Sequence, residues 1–94
     1  MTIENVKAIF RDAKENDDNY VAMWIRMPGC DKAEIIINPK SNFDKKLEYY
    51  LKAYNDDLTL KTCNEIRIVG MGRYESLTEF GELEDENLYQ EGQI

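Results

Sequence analysis

Apolar residues recur at helical spacing from the start of the chain. Ile3, Val6, Ile9, Phe10 and Ala13 share one side, and Lys7, Arg11, Asp12, Lys14 and Glu15 fill the other. Thr2 stands where an N-cap hydroxyl is wanted, and the polar cluster Asn16-Asp17-Asp18-Asn19 ends the pattern, so residues 2–15 read as an amphipathic helix. The period then drops to two. Over residues 20–27, Val21, Met23, Ile25 and Met27 alternate with Tyr20, Ala22, Trp24 and Arg26, which predicts a strand. Pro28-Gly29, followed by Cys30-Asp31-Lys32, is turn chemistry, and residues 33–38 make a second strand. Pairing Met27 with Ala33 and Ile25 with Ile35 places Met23, Ile25, Ile35 and Ile37 on one side. The same register sets Arg26 opposite Glu34 and Trp24 opposite Ile36 on the reverse side, and a slip by two residues preserves both faces.

A second helix follows. Ser41 is its expected N-cap, with Asp44 three residues on, and Phe43, Leu47, Tyr50, Leu51 and Tyr54 form its apolar stripe. Asn55-Asp56-Asp57 stops it. A short apolar piece (Leu58, Leu60) precedes a third strand over residues 65–71, and Ser76-Leu77-Thr78-Glu79 is a candidate cap for a brief C-terminal helix. Helix, hairpin, helix and returning strand make a split β-α-β arrangement. The expected fold is therefore a two-layer α+β domain. It has a three-stranded, mainly antiparallel sheet in the order 2-1-3, with both helices on one face.

Helices on one side leave the other face of that sheet bare. Tyr20, Trp24, Ile36, Val69 and Met71 form the expected apolar patch there, with Ala22 between them, and this is the candidate protein-interaction surface. Trp24 is the only tryptophan. The competing reading is that residues 72–94 fold back over the patch, using Tyr74, Leu77 and Phe80.

Composition narrows the chemistry. The chain has 94 residues, which is one domain by length, and 43% apolar residues, enough for a core. The expected organisation is a single domain over residues 1–81 and a mobile acidic tail over 82–94. Of the net charge of −7, five units come from that tail (Glu82, Glu84, Asp85, Glu86, Glu91), which contains no basic residue. A negative field disfavours nucleic acid as a nonspecific partner. Such a tail either imitates a phosphate backbone or, more plainly, is a solvated end.

Histidine is absent, which removes the commonest general base and the usual activator of Ser and Cys nucleophiles, so no enzyme is expected. Two cysteines, Cys30 and Cys63, do not make a zinc site and are expected as reduced thiols. No metal, cofactor or small-molecule ligand is indicated. No apolar run approaches membrane-spanning length and the N-terminus shows no signal-peptide pattern, so a cytoplasmic protein is expected.

Three further patterns have plain readings. Lys40, Lys45, Lys46 and Lys52 interleave with Tyr49 and Tyr54, a combination that binds single-stranded nucleic acid in some proteins but fits the solvated face of a helix here. Gly70-Met71-Gly72 is too near the end of the chain to open a dinucleotide-binding unit and reads as turn or bulge glycines. Asp17-Asp18 and Asp56-Asp57 lack the spaced ligands of a calcium loop and read as stop signals.

The pattern INP–xxNF–KLEYY–KAY over residues 35–54, continued more loosely to residue 70, resembles small uncharacterised proteins of prophages and mobile elements of Gram-positive bacteria. The resemblance implies a bacterial or phage origin and an accessory role. It transfers no functional residue. With size and acidity it suggests a non-catalytic protein, such as an inhibitor of a host enzyme, that works by protein–protein contact. The alternative is a small structural module that self-associates.

Overall fold

The N-terminal helix, α1 (Ile3–Glu15), starts as its sequence asks. The Glu4 amide donates to Thr2 Oγ1 at 3.3 Å, and the Thr2 amide donates to Asn5 Oδ1 at 2.8 Å. It ends in a left-handed turn at Asp17 (φ 56°). There the Asp18 amide donates to the Ala13 carbonyl and the Asp17 amide to that of Lys14, satisfying carbonyls the helix leaves open. The computed structural model describes residues 1–76 and 88–90. Its further elements are β1 (Tyr20–Arg26), β2 (Glu34–Pro39), a 3-10 turn (Lys40–Asn42), α2 (Phe43–Ala53), β3 (Thr59–Leu60), β4 (Cys63–Tyr74) and β5 (Leu88–Gln90).

The strands form one sheet in the order β3-β4-β1-β2-β5. β1 to β4 are mutually antiparallel where they pair, and β5 adds alongside β2 in parallel. The fold is thus α+β, as expected, and β4 lies beside β1 as a split β-α-β requires. Three details differ from expectation, the first being that Leu88–Gln90, expected within a mobile tail, joins the sheet as β5 beside β2. The piece after α2 pairs with β4 as a further edge strand, so the antiparallel part has four strands, not three. The long strand also runs to Tyr74, beyond its predicted end at Met71. The predicted C-terminal helix and most of the predicted mobile tail fall outside the described residues.

Both helices lie on one face of the sheet. Val6, Phe10 and Ala13 of α1, Phe43 and Tyr50 of α2, and Val21, Met23, Ile25 and Ile68 of the strands make one buried cluster. Each buried valine, isoleucine, methionine or phenylalanine among them contributes roughly 1.5–3 kcal/mol by leaving water. Phe10 meets Phe43 edge-on at 5.5 Å between ring centroids and Tyr50 at 6.2 Å. Of the predicted stripe of α2, Phe43, Tyr50 and Tyr54 are buried, whereas Leu47 is only partly covered. Ser41 is not the helix cap. It sits inside the 3-10 turn that follows extended Pro39, and α2 begins at Phe43 without a side-chain cap bond.

The hairpin register is the main correction. Pro28-Gly29 forms the expected turn, with Gly29 at φ 80° and the Cys30 amide donating to the Met27 carbonyl. The ladder, however, opposes Trp24 to Ile35, Met23 to Ile36, and Ala22 to Ile37. This is one residue away from the predicted pairing, and a one-residue slip exchanges the faces of a strand. Ile36 and Asn38 therefore face the helices, while Ile35 and Ile37 join Trp24 on the reverse side.

Asn38 is fully buried beneath α2, where its amide donates to the Val21 carbonyl at 3.1 Å. The other buried polar residue among those described, Asp18, accepts a 2.6 Å bond from Arg73, joining the end of α1 to the end of β4.

Candidate functional site

The site develops from an irregularity in β4. Trp24 opposes Gly70 and Ile25 opposes Ile68, so Val69 is left over as a bulge residue. A bulge bends its strand and re-aims the side chains around it. Val69 is 37% exposed, one of the few large apolar side chains in the described structure that face water.

The neighbouring glycines seat aromatic rings. A Cβ on Gly70 would touch Trp24 atoms at 3.6–3.8 Å, so the indole lies across the bare backbone there. A Cβ on Gly72 would sit 2.7 Å from the Tyr74 hydroxyl, so the tyrosine ring occupies the space a side chain would need. The Gly-Met-Gly sequence thus lies within a long strand, and its first glycine flanks the bulge. Both glycines make room for rings, a known use of glycine in sheets.

The reverse face is not uniformly bare. Ala22, Ile35 and Ile37 are buried there in a second small cluster, with Tyr20, Trp24 and Tyr74 packed around them. Of the five residues predicted to form the patch, Tyr20 and Trp24 lie on this face, and Val69 sits at the bulge beside Trp24. Ile36 is on the helix side, turned there by the register. Met71 opposes Met23 and packs against the main core, yet also borders the recess at the bulge. The accessible part of the face is therefore smaller than predicted. It is a shallow apolar recess of about 360 Å³ lined by Trp24, Val69, Gly70 and Met71.

Two arginines extend the recess along the strands. Arg26 follows Trp24 by two residues on β1, and Arg67 is its cross-strand partner on β4; both are exposed. The nearby Asp57 carboxylate accepts from the Thr59 hydroxyl at 2.6 Å and from the Thr59 amide at 3.1 Å. Those bonds hold its pKa below the ordinary value, with a smaller contribution from the charge of Arg67. The alternation of β1 marked Arg26 as a neighbour of Trp24. The bulge that brings Val69 beside them had only the glycines as a signal.

A second concavity, of about 410 Å³, lies on the helix side between α2 and the sheet edge, with Met27, Ile36, Tyr49, Tyr54 and Leu60 among its walls. Lys46 stacks there over the Tyr49 ring at 4.6 Å. Two more lysines of the predicted basic stretch are in ion pairs, Lys40 with Asp17 and Lys52 with Glu48. The aspartate pairs serve the chain turns: the Asp56 carbonyl accepts from the Ile3 amide, and Asp17 takes the left-handed position after α1. Cys30, in the hairpin turn, and Cys63, at the start of β4, are free thiols. No helix among the described residues is long and apolar enough to cross a membrane.

Comparison with known proteins finds no family model, no curated protein and no solved structure that matches this chain, so any functional reading rests on the site itself.

Proposed function

We propose that this chain is a non-catalytic accessory protein of the phage type, acting in the cytoplasm by docking another protein on the recess at Trp24 and Val69. One observation carries the reading: the lone tryptophan lies half-buried across Gly70, beside the exposed valine of the bulged neighbouring strand β4. A large ring fixed in place before binding loses little conformational freedom on contact, and such rings anchor interfaces. Self-association through the same surface is the alternative.

Panning a random dodecamer peptide library on the wild-type chain and on Val69→Glu tests the proposal. Wild type should enrich binders that shift the fluorescence of Trp24. Val69→Glu, a change at an exposed position, should keep the circular dichroism spectrum and lose those binders. If the enriched peptides leave Trp24 fluorescence unchanged and bind both proteins alike, the docking surface is refuted. Sedimentation decides the alternative, since a dimer that Val69→Glu converts to monomer would replace docking by self-association.

A further inference from the structure

We infer that the partner segment is acidic: an apolar side chain rests on Trp24 and Val69 while adjoining carboxylates are received by Arg26 and Arg67. The inference deepens the docking proposal and rests on it. Arg26 shares its strand face with Trp24, and the ladder sets Arg67 directly opposite Arg26. Directly opposed residues of an antiparallel pair have Cβ atoms roughly 4.5–5.5 Å apart, and like charges in that position repel. Neither guanidinium has an ion pair or hydrogen bond to relieve this among the described residues. Two acids lie near Arg67: Glu65 precedes it by two residues on the same face of β4, and Asp57, which feels the charge of Arg67, already accepts two bonds from Thr59. Of the ten other cations, six (Lys7, Arg11, Lys14, Lys40, Lys52 and Arg73) each contact a carboxylate.

A chain of net charge −7 thus holds two cations directly opposed, neither in an ion pair among the described residues, beside a shallow apolar recess. Guanidinium groups bind carboxylates in a two-pronged geometry that an ammonium does not match. The surface therefore suits a segment with Asp or Glu next to a large apolar residue. A nucleic acid is disfavoured, because a long polyanion meets the repulsion of the whole chain while a short acidic segment meets little of it. A second copy docked symmetrically through the same patch would bring arginines against arginines, so a different protein is the better occupant.

The peptides enriched on wild type provide the test, together with panning on Arg26→Glu/Arg67→Glu and on the milder Arg26→Gln/Arg67→Gln. The wild-type peptides should carry Asp or Glu beside a large apolar residue. Their affinity should fall about tenfold or more in the Glu variant, less in the Gln variant, and weaken with added salt. Panning on the Glu variant should enrich Lys and Arg instead. Peptides that depend on Val69 but are neutral or basic, or that bind the Glu and Gln variants as tightly as wild type, would overturn the acidic partner and leave the docking surface standing. An absence of Val69-dependent peptides would overturn both.

Discussion

Replacing Phe10 by alanine is expected to destabilise the protein by about 3–5 kcal/mol, the largest effect of any single truncation considered. Phe10 is fully buried, and its ring is in contact distance of Phe43 and Tyr50, so it joins α1 to α2 over the sheet. Removing it withdraws apolar surface from the core and leaves a cavity that two helices must partly collapse to fill. A domain of this size has only about 5–15 kcal/mol in hand, so the variant should lie near the edge of stability. Urea unfolding is the measurement. The midpoint should fall steeply with an unchanged slope, whereas Leu47→Ala should shift it less, because Leu47 is only partly covered. Equal midpoints for Phe10→Ala and wild type would mean that α1 does not dock where described.

The second large effect concerns Leu58, which is buried yet holds φ at 69°, a left-handed conformation that costs a branched side chain about 1–2 kcal/mol. Its amide donates to the Asn55 carbonyl and its own carbonyl accepts from the Ile68 amide, so the turn and β4 together fix the conformation. Burial of the leucine, worth roughly 1.5–3 kcal/mol, offsets the strain. Leu58→Ala should lose the burial and keep the strain, costing about 2–5 kcal/mol. Leu58→Gly loses the same side chain but relaxes the backbone, and should therefore be about 1 kcal/mol more stable than the alanine variant. That order is the reverse of the usual one. A glycine variant less stable than alanine would show that the left-handed turn is not formed.

These effects trace to features that differ in how openly the chain displays them. The two helices and the hairpin were legible because their apolar residues keep a single period: Val6, Phe10 and Ala13 in α1, Phe43, Tyr50 and Tyr54 in α2, Val21, Met23 and Ile25 in β1. The phase of β2 was not. Ile35, Ile36 and Ile37 are consecutive, so either register presents isoleucine to both faces, and alternation loses its power to choose. What distinguishes the registers is three-dimensional: Asn38 turns inward to reach the Val21 carbonyl, and Ile37 covers Ala22 on the reverse side. Ser41 satisfied the local rule for a cap, but Pro39 and the 3-10 turn move the helix start one residue on, with Asn42 in the cap position. The short β3 has too few residues for periodicity to detect.

The candidate site was legible in the same uneven way. Trp24 and Tyr20 were placed correctly because β1 alternates cleanly. Ile36 was misplaced by the register, and Met71 by the bulge, which shifts the phase of β4 between Ile68 and Gly70. The clustering of Arg26 with Arg67 depends on which residues β1 and β4 oppose, and nothing local to either strand announces it.

Everything proposed for the recess depends on which residues share a face with Trp24, and cross-strand proton contacts by NMR test that most directly. Opposed residues in an antiparallel ladder bring their Cα atoms within about 4.5–5.5 Å, close enough for backbone protons to identify partners. Contacts should pair Trp24 with Ile35 and Ala22 with Ile37 on one side, and Trp24 with Gly70 on the other. Contacts pairing Trp24 with Ile36 and Ile25 with Ile35 would contradict this ladder, returning Ile35 and Ile37 to the helix side and dismantling the surface described.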